Sequence, residues 1–245
     1  MALNARLAVL IDVDNAQSSI VAQLLDEVSR HGVATVKRVY GDWTTPNLKG
    51  WKESLNAHAL QPVQQFSYTT GKNATDSCLI IDAMDLLHSG RVDGFCLVSS
   101  DSDFTRLATR IRESGLVVYG FGEKKTPQAF VAACDKFVYT ETLRVSDDLP
   151  IVPQAPAPVA AKPIKGILLS AVTGALCDDG WAILSTLGSV ISQTNPDFDA
   201  RNYGFKKLGD LVRAQPYLET KMVTLNEATG TNQVFVRRKQ KPLEK

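Results

Sequence analysis

The stretch GFCLVSSDSDFTRLATRIRESG, residues 94–115, decides the fold of this chain. It runs from an apolar segment typical of a buried strand, through two aspartates, into a segment whose apolar residues have the spacing of an amphipathic helix. A strand followed directly by a helix predicts a βα unit. Asp101 and Asp103 stand where the strand ends, and because their carboxylates repel each other, we expect a cation nearby.

The same alternation of strand-like and helix-like segments extends over residues 6–140. It predicts an α/β fold, with a mainly parallel sheet covered by helices on both faces. Three of the helical segments end at Gly32, Gly90 and Gly115, which suit a left-handed C-terminal cap. The predicted strands are RLAVLID, VATVKRVYG, ALQPVQQF, GFCLVSS, LVVYGFG and KFVYT, and the predicted helices are SSIVAQLLDEVSRHG, NLKGWKESLNAH, DSCLIIDAMDLLHSG, DFTRLATRIRESG and TPQAFVAACD.

The composition is that of an ordinary soluble globular protein, with 44% hydrophobic and 22% charged residues among 245. The net charge is only +1, but residues 162–245 hold 12 Lys and Arg against 8 Asp and Glu, so the preceding part is net acidic. An acidic first part and a basic second part favour a metal site combined with an anionic ligand.

The four cysteines, Cys78, Cys96, Cys134 and Cys177, are widely spaced and form no CxxC pair. We therefore expect reduced, buried thiols in a cytosolic protein, and neither a zinc site nor a disulfide framework. The N-terminus lacks the pattern of a signal peptide, and no apolar stretch approaches about 18 residues. These features predict a cytoplasmic protein without membrane contact.

A change of composition separates two predicted domains. The segment SDDLPIVPQAPAPVAAKP is rich in Pro and Ala, which favours an extended spacer. We therefore assign residues 1–145 to the α/β domain, 146–163 to a linker and 164–241 to a second domain. In the second domain, three helical segments precede MVTLNEA and QVFVRRK, which we expect to pair as a hairpin. This pattern predicts a small winged-helix-like α+β domain.

Five aspartates from three segments are predicted to meet at one edge of the sheet. Asp12 and Asp14 end the first strand, Asp101 and Asp103 end the fourth, and Asp76 begins a helix. The carboxyl ends of parallel strands share one edge, where ligands bind. Crowded carboxylates raise one another's pKa values, and a divalent cation relieves that cost. Oxygen ligands favour Mg²⁺ or Mn²⁺.

Simpler interpretations stay open for single residues. Asp76, Asp101 and Asp103 each precede or begin a helix, where aspartate commonly serves as an N-cap. Asn15 either caps the first helix or holds a ligand, and Lys72 is either a solvated loop residue or a phosphate contact. Ser99 and Ser100 are expected either to cap backbone groups or to support the ligands through hydrogen bonds. Asp82 and Asp85 are about 120° and 180° away from Asp76 around their helix, so we exclude them from the site.

Residues 6–140 resemble the NYN domain, a branch of the PIN-like nucleases that includes the LabA-like proteins. The resemblance is carried, in order, by LIDVDN, GKNATDSCLIIDAMDLL, FCLVSSDSDFTRLATRIRESG and VVYGFGEKKTPQAFVAACDKFVY. It implies a PIN-like three-layer fold and a metal-dependent nuclease. By this resemblance Asp14 has a supporting role, and Ser100 stands where many relatives have glycine. The implied catalytic residues are Asp12, Asn15, Asp76, Asp101 and Asp103, of which the four aspartates would bind metal.

Residues 164–240 resemble the OST-HTH or LOTUS domain, through DGWAILSTLGSVISQTNPDFDARNYGFKKLGDLV. That family has a winged-helix architecture and is associated with RNA binding. The resemblance therefore implies RNA as the partner. An alternative to RNA contact stays open: Tyr203 and Phe205 would then belong to the core, and the lysines would form a solvated face. The candidate RNA contacts are Arg201, Tyr203, Lys206, Lys207, Arg237 and Arg238.

Three functional hypotheses follow. The leading one is a metal-dependent endoribonuclease using Mg²⁺ or Mn²⁺, with a C-terminal RNA-binding module. The second is an RNA-binding adaptor whose acidic site is weak or silent. The third is a phosphatase of the haloacid-dehalogenase type, because IDVDN has its DxD pattern. Against the third, Ala16 replaces the usual Thr or Val, and no hairpin flap follows Asp14. A homodimer is left as an open option.

Overall fold

The chain divides into two units, Met1–Asp147 and Asp148–Lys245. The computed structural model describes residues 4–66, 74–144, 163–177, 179–226 and 231–239. The predicted linker, residues 146–163, lies almost entirely outside this described part.

A parallel sheet of six strands forms the centre of the first unit, with strand order β3-β2-β1-β4-β5-β6. All five pairings are parallel. The strands are β1 (Arg6–Asp12), β2 (Val33–Gly41), β3 (Gln61–Gln64), β4 (Gly94–Val98), β5 (Val117–Gly122) and β6 (Lys136–Tyr139).

Helices cover both faces of this sheet. They are α1 (Val21–Ser29), α2 (Trp51–Ala57), α3 (Ala74–Ser89), α4 (Thr105–Glu113), α5 (Gln128–Ala133) and α6 (Thr140–Leu143). On one face, Leu24 of α1 and Trp51 of α2 pack in one apolar cluster. On the other, Leu79 of α3, Leu107 of α4 and Phe130 of α5 pack in a second cluster. The predicted three-layer α/β fold is thereby confirmed.

The strand order reverses beside β1. From β1 the chain builds β2 and β3 on one side, and then returns to build β4, β5 and β6 on the other. From Leu7 to Asp12 every residue of β1 is buried. A parallel sheet binds ligands in the crevice outside the carboxyl ends of its strands at such a reversal. The residues that follow β1 and β4 therefore occupy the expected position of a site.

Two of the three predicted glycine caps are present. Gly90 has φ of 65° and Gly115 has φ of 82°, the left-handed conformation in which glycine ends a helix. The prediction is wrong for Gly32, which has no positive φ. A Cβ there would lie 2.3 Å from the carbonyl oxygen of Ala5, so close approach of two backbones requires this glycine.

The second unit packs three helices against a small antiparallel sheet of order β7-β9-β8. Its elements are α7 (Ile164–Gly174), β7 (Ala182–Ile183), α8 (Leu184–Thr194), α9 (Leu208–Arg213), β8 (Leu218–Asn226) and β9 (Thr231–Arg238). The predicted helices and hairpin are confirmed. The sequence reading missed β7, whose two residues pair with Val236 and Phe235 of β9. The unit is a small α+β domain, as expected.

All four cysteines are free. Cys96 and Cys134 are buried, and burial raises the pKa of both thiols, that of Cys134 to about 12. Cys78 is only partly buried, and the expectation of burial is wrong for Cys177, which is exposed. Within the described ranges, no helix has the length and apolar character needed to cross a lipid bilayer.

Candidate functional site

Asp12 is the buried centre of the candidate site, with no exposed surface. Its Oδ2 accepts hydrogen bonds from Asn15 Nδ2 at 2.8 Å and from Ser99 Oγ at 3.0 Å, and its Oδ1 accepts one from the backbone N–H of Asp14 at 3.0 Å. Burial raises the pKa of this carboxyl, and the three hydrogen bonds oppose the rise. The carboxylate is thereby held in one orientation at the end of β1.

The structure decides between the two roles considered for Asn15. The first helical turn, Ser18–Ile20, has Gln17 as its N-cap, and α1 begins only at Val21. Asn15 therefore caps no helix. Its side-chain amide donates to Asp12 instead, which makes it an orienting residue at the site.

Ser99 connects the ends of β1 and β4. Its hydroxyl donates to Asp12 Oδ2 and accepts from the backbone N–H of Asp101 at 3.1 Å. Asp101 Oδ1 in turn accepts from the backbone N–H of Asp103 at 2.9 Å, which makes Asp101 the N-cap of the turn Ser102–Phe104. The N-cap interpretation is therefore correct for Asp101, and it does not exclude a ligand role, because Oδ2 is not used by this bond.

Three carboxylates converge from two segments. Asp76, Asp101 and Asp103 each place one oxygen within 4.8 Å of the other two. Asp76 lies in the first turn of α3, where the helix begins at the same sheet edge. Asp101 is half-buried and Asp103 is exposed. Within the part of the chain that the structure describes, this acidic trio does not include Asp12.

The negative charges at this edge act on one another. The pKa of Asp76 is raised to about 6, first by partial burial and then by the charges of Asp12, Asp101, Asp103 and Asp14. All five predicted aspartates therefore share one electrostatic environment. Crowded, hard oxygen donors are the ligand set that Mg²⁺ and Mn²⁺ prefer, so the residues present fit such an ion.

Asp76→Asn is expected to stabilise the metal-free protein above about pH 6, raising the unfolding midpoint by about 2–4 °C after allowance for solvent screening. A carboxyl whose folded-state pKa is raised favours folding at low pH. That contribution is lost as pH rises from the ordinary aspartate pKa of 3.8 through about 6. Calorimetry in EDTA from about pH 5 to pH 8 measures the difference.

Asp85→Asn is the matched control, because Asp85 is an exposed aspartate on the opposite face of α3. It removes the same charge from the same helix and should leave the pH dependence unchanged. An equal effect of the two variants would show that crowding at the acidic trio does not set the stability.

Two other predictions concern residues near the trio. Lys72 lies outside the described residues. Asp82 takes no part in the trio, as expected: its Oδ2 accepts from Arg38 Nη1 and from the Tyr40 hydroxyl, each at 2.8 Å. These bonds fasten α3 to β2, and the sheet thereby fixes the helix that presents Asp76.

The candidate RNA contacts of the second unit fall into two groups. Arg201 is bound to Asp199, with Nη2 to Oδ2 at 2.6 Å, and Tyr203 packs on Phe198 with ring centroids 5.7 Å apart. Arg237 bonds to Glu219 at 2.9 Å and lies 4.3 Å from the Trp181 ring. These three side chains are engaged within the domain. The remaining candidates, Lys206, Lys207 and Arg238, are exposed.

Sequence reasoning missed the importance of Gly122, the last residue of β5. A Cβ at Gly122 would lie 2.6 Å from the carbonyl oxygen of Ser99 and 2.6 Å from Thr126 Oγ1. The last residue of β5 is therefore pressed against the segment that carries Ser99. A glycine ending a strand beside a predicted site was the available signal.

Comparison with protein families agrees with this arrangement. Residues 6–143 match the model of the NYN domain, and residues 159–227 match that of the OST-HTH/LOTUS domain. None of the curated proteins compared matches the chain.

Three solved structures are similar to parts of this chain. A crystal structure of a protein of unknown function from Vibrio parahaemolyticus is 20% identical, covering 60% of this chain and 97% of its own, with a TM-score of 0.49. An NMR structure of an uncharacterized protein from Nitrosomonas europaea is 33% identical over 42% of this chain and 95% of its own, with a TM-score of 0.32. An NMR structure of a protein from Chromobacterium violaceum is 26% identical, covering 38% of this chain and 95% of its own, with a TM-score of 0.28.

The family model, and not these structures, carries the assignment, since it spans more than half of the chain. It also contains the acidic edge, by which we mean the five aspartates Asp12, Asp14, Asp76, Asp101 and Asp103. The second match adds a domain of an RNA-binding family. This chain therefore belongs to the NYN domain family and carries an OST-HTH/LOTUS domain after its NYN domain.

Proposed function

We propose that the protein is a metal-dependent endoribonuclease that hydrolyses RNA phosphodiester bonds. The observation that carries the proposal is the acidic trio, whose three oxygens lie within 4.8 Å of one another at the reversal point of the sheet. Membership in a PIN-like nuclease family and the presence of an RNA-binding type of domain support it.

Each residue of the site has a distinct part in the proposed reaction. Asp76, Asp101 and Asp103 would hold Mg²⁺ or Mn²⁺. Asp12, predicted from the sequence as a fourth ligand, lies outside this trio and would add negative charge near Asp76, held in place by Asn15 and Ser99. Such an ion supplies an activated water and offsets charge on the phosphate. Because Ser99 also bonds to the Asp101 backbone, it keeps the two strand ends in register.

The second unit would supply most of the affinity for RNA through exposed cations. Replacing Lys206, Lys207 and Arg238 together with glutamine is expected to weaken RNA binding about tenfold or more at moderate salt. The slope of log K against log salt should fall by about 2, or about 0.7 for each lost phosphate contact. Fluorescence anisotropy with a labelled single-stranded RNA measures both.

Arg201→Gln is the comparison for this triple variant. Arg201 is already bound to Asp199, so its loss should lower the stability of the domain more than it changes the salt slope. If Arg201→Gln reduced the slope as much as the triple variant, the division into engaged and available cations would be wrong.

The two alternative functions have different standing. An RNA-binding adaptor would use the same exposed cations and differ only in lacking cleavage. A haloacid-dehalogenase-type phosphatase would need Asp12 as an accessible nucleophile, and its complete burial and three hydrogen bonds argue against that role. A cytoplasmic location remains part of the proposal, whereas the optional homodimer finds no support among the described residues, and we do not propose it.

The test is cleavage of an internally labelled RNA by the purified full chain, with Mn²⁺ or Mg²⁺ and with EDTA. The proposal requires cleavage that depends on the ion and that Asp101→Asn abolishes. RNA binding without cleavage under any of these conditions would favour the adaptor.

A further inference from the structure

The loop after β5 is a tight turn that carries two adjacent lysines, in GFGEKKTP at residues 120–127. The backbone N–H and the hydroxyl of Thr126 both donate to the carbonyl oxygen of Glu123, at 2.9 and 2.6 Å. These bonds close a turn whose central residues are Lys124 and Lys125. Both lysines are exposed. We refer to residues 123–126 as the lysine turn.

The lysine turn is bonded to the segment that carries Asp101. The backbone N–H of Glu123 donates to Ser100 Oγ at 2.9 Å, one residue before Asp101. Its other side is held by Glu141, whose Oε1 accepts from the backbone N–H of Lys124 at 3.0 Å. The turn therefore keeps a defined position beside the acidic trio.

Neighbouring strands place the turn and the trio at the same edge of the sheet. β5 lies next to β4, and the carbonyl oxygen of Phe121 accepts from the backbone N–H of Ser99 at 2.9 Å. Gly122 packs closely against the same serine. Phe121 and Gly122, which make these contacts, precede Lys124 by only three and two residues.

The lysine side chains contribute little to the stability of the fold. Lys125 Nζ lies 2.8 Å from Glu123 Oε2, but the lysine side chain is 70% exposed, and such surface pairs are worth little. The ammonium of Lys124 forms no ion pair within 4.0 Å with any residue that the structure describes. The turn is thus fixed by hydrogen bonds and exposes two lysine side chains that contribute little to the stability of the domain.

An RNA chain approaching five aspartates is repelled unless nearby cations hold its backbone. Lysine binds phosphate as a point charge and needs no fixed geometry of its own side chain. We propose that the lysine turn binds a phosphate of the RNA backbone that flanks the phosphate at the acidic trio. This inference rests on the proposed function, and it specifies the substrate as a chain with at least one phosphate beyond the cleaved bond.

The first test observes the turn directly. In the full chain labelled with ¹⁵N, adding a single-stranded RNA oligonucleotide should shift the backbone amide resonances of Glu123, Lys124 and Thr126, and the shifts should disappear in K124Q/K125Q. The same concentration of inorganic phosphate should produce much smaller shifts. Unchanged resonances at the turn under RNA saturation would overturn the proposal, as would equal shifts with phosphate alone.

The second test is kinetic. K124Q/K125Q should raise KM for RNA about tenfold with kcat within about twofold, and should lower the salt slope of kcat/KM by about 0.7 for each lysine. K124R/K125R should keep the wild-type KM, because charge and not exact shape is required. Arg91→Gln removes an exposed cation at the opposite edge of the sheet, just before β4, and should change neither value.

The two tests separate this inference from the proposed function. Amide shifts at the turn without any cleavage by the wild-type chain would refute the nuclease and retain the phosphate site. Cleavage with an unchanged KM and salt slope in K124Q/K125Q would retain the nuclease and refute the phosphate site.

Discussion

Asp101→Asn is expected to reduce Mn²⁺-dependent RNA cleavage by at least about 100-fold. Loss of a residue behind a metal ligand commonly costs about 10–100-fold, so loss of a ligand should cost at least as much. The substitution is conservative for the fold, because asparagine is as good an N-cap as aspartate and can accept the same bond from Asp103. Initial rates on a labelled RNA, with saturating Mn²⁺, measure the effect.

The control for this variant is again Asp85→Asn, which should cleave at the wild-type rate. Thermal stability of Asp101→Asn that equals or exceeds that of the wild type would show that the cap is preserved and that the loss is chemical. Equal cleavage by Asp101→Asn and wild type would sink the nuclease assignment, since the activity would then come from a contaminant.

Gly122→Ala is expected to lower cleavage more than about tenfold and to cost about 1–3 kcal/mol of stability by overpacking. The added methyl would lie 2.6 Å from the Ser99 carbonyl oxygen, a distance that backbone atoms must move to relieve. Ser99 holds both Asp12 and the Asp101 backbone, so its displacement disturbs the site directly. Denaturant unfolding and initial cleavage rates measure the two effects separately.

Gly50→Ala is the matched control in the same unit. Gly50 has an ordinary helical conformation, and a Cβ there would meet its nearest atom, Ser18 Oγ, at 3.6 Å. We expect no loss of activity and a change in stability within about 0.5–1 kcal/mol. Full activity in Gly122→Ala would contradict the claim that the end of β5 supports the acidic edge.

The acidic edge could be predicted because it depends only on topology. Asp12, Asp76 and Asp101 follow strands or begin a helix, and in a parallel sheet all such positions share one edge. No knowledge of side-chain contacts was required to place them together. The alternation of apolar segments and the cap at Gly115 were predictable for a different reason, since both are local features of the sequence.

Features that depend on partners distant in sequence were not predictable. The requirement for glycine at position 32 comes from the backbone of Ala5 on a neighbouring segment, and that at 122 comes from Ser99. Likewise, nothing local shows that Arg237 is bound by Glu219, 18 residues earlier in the chain, while the adjacent Arg238 is exposed. Composition alone counts cations and cannot tell which of them the fold has already neutralised.

The position of β1 between β2 and β4 has a consequence for biosynthesis. The bond from Ser99 to Asp12 joins residues 87 positions apart, so the first strand is made long before its second neighbour. At about 5–20 residues per second, a ribosome needs roughly 4–17 s to add that stretch, during which one edge of β1 has no partner. The nascent chain is therefore open to chaperone capture in this interval, and it holds no assembled acidic centre until the fourth strand has emerged.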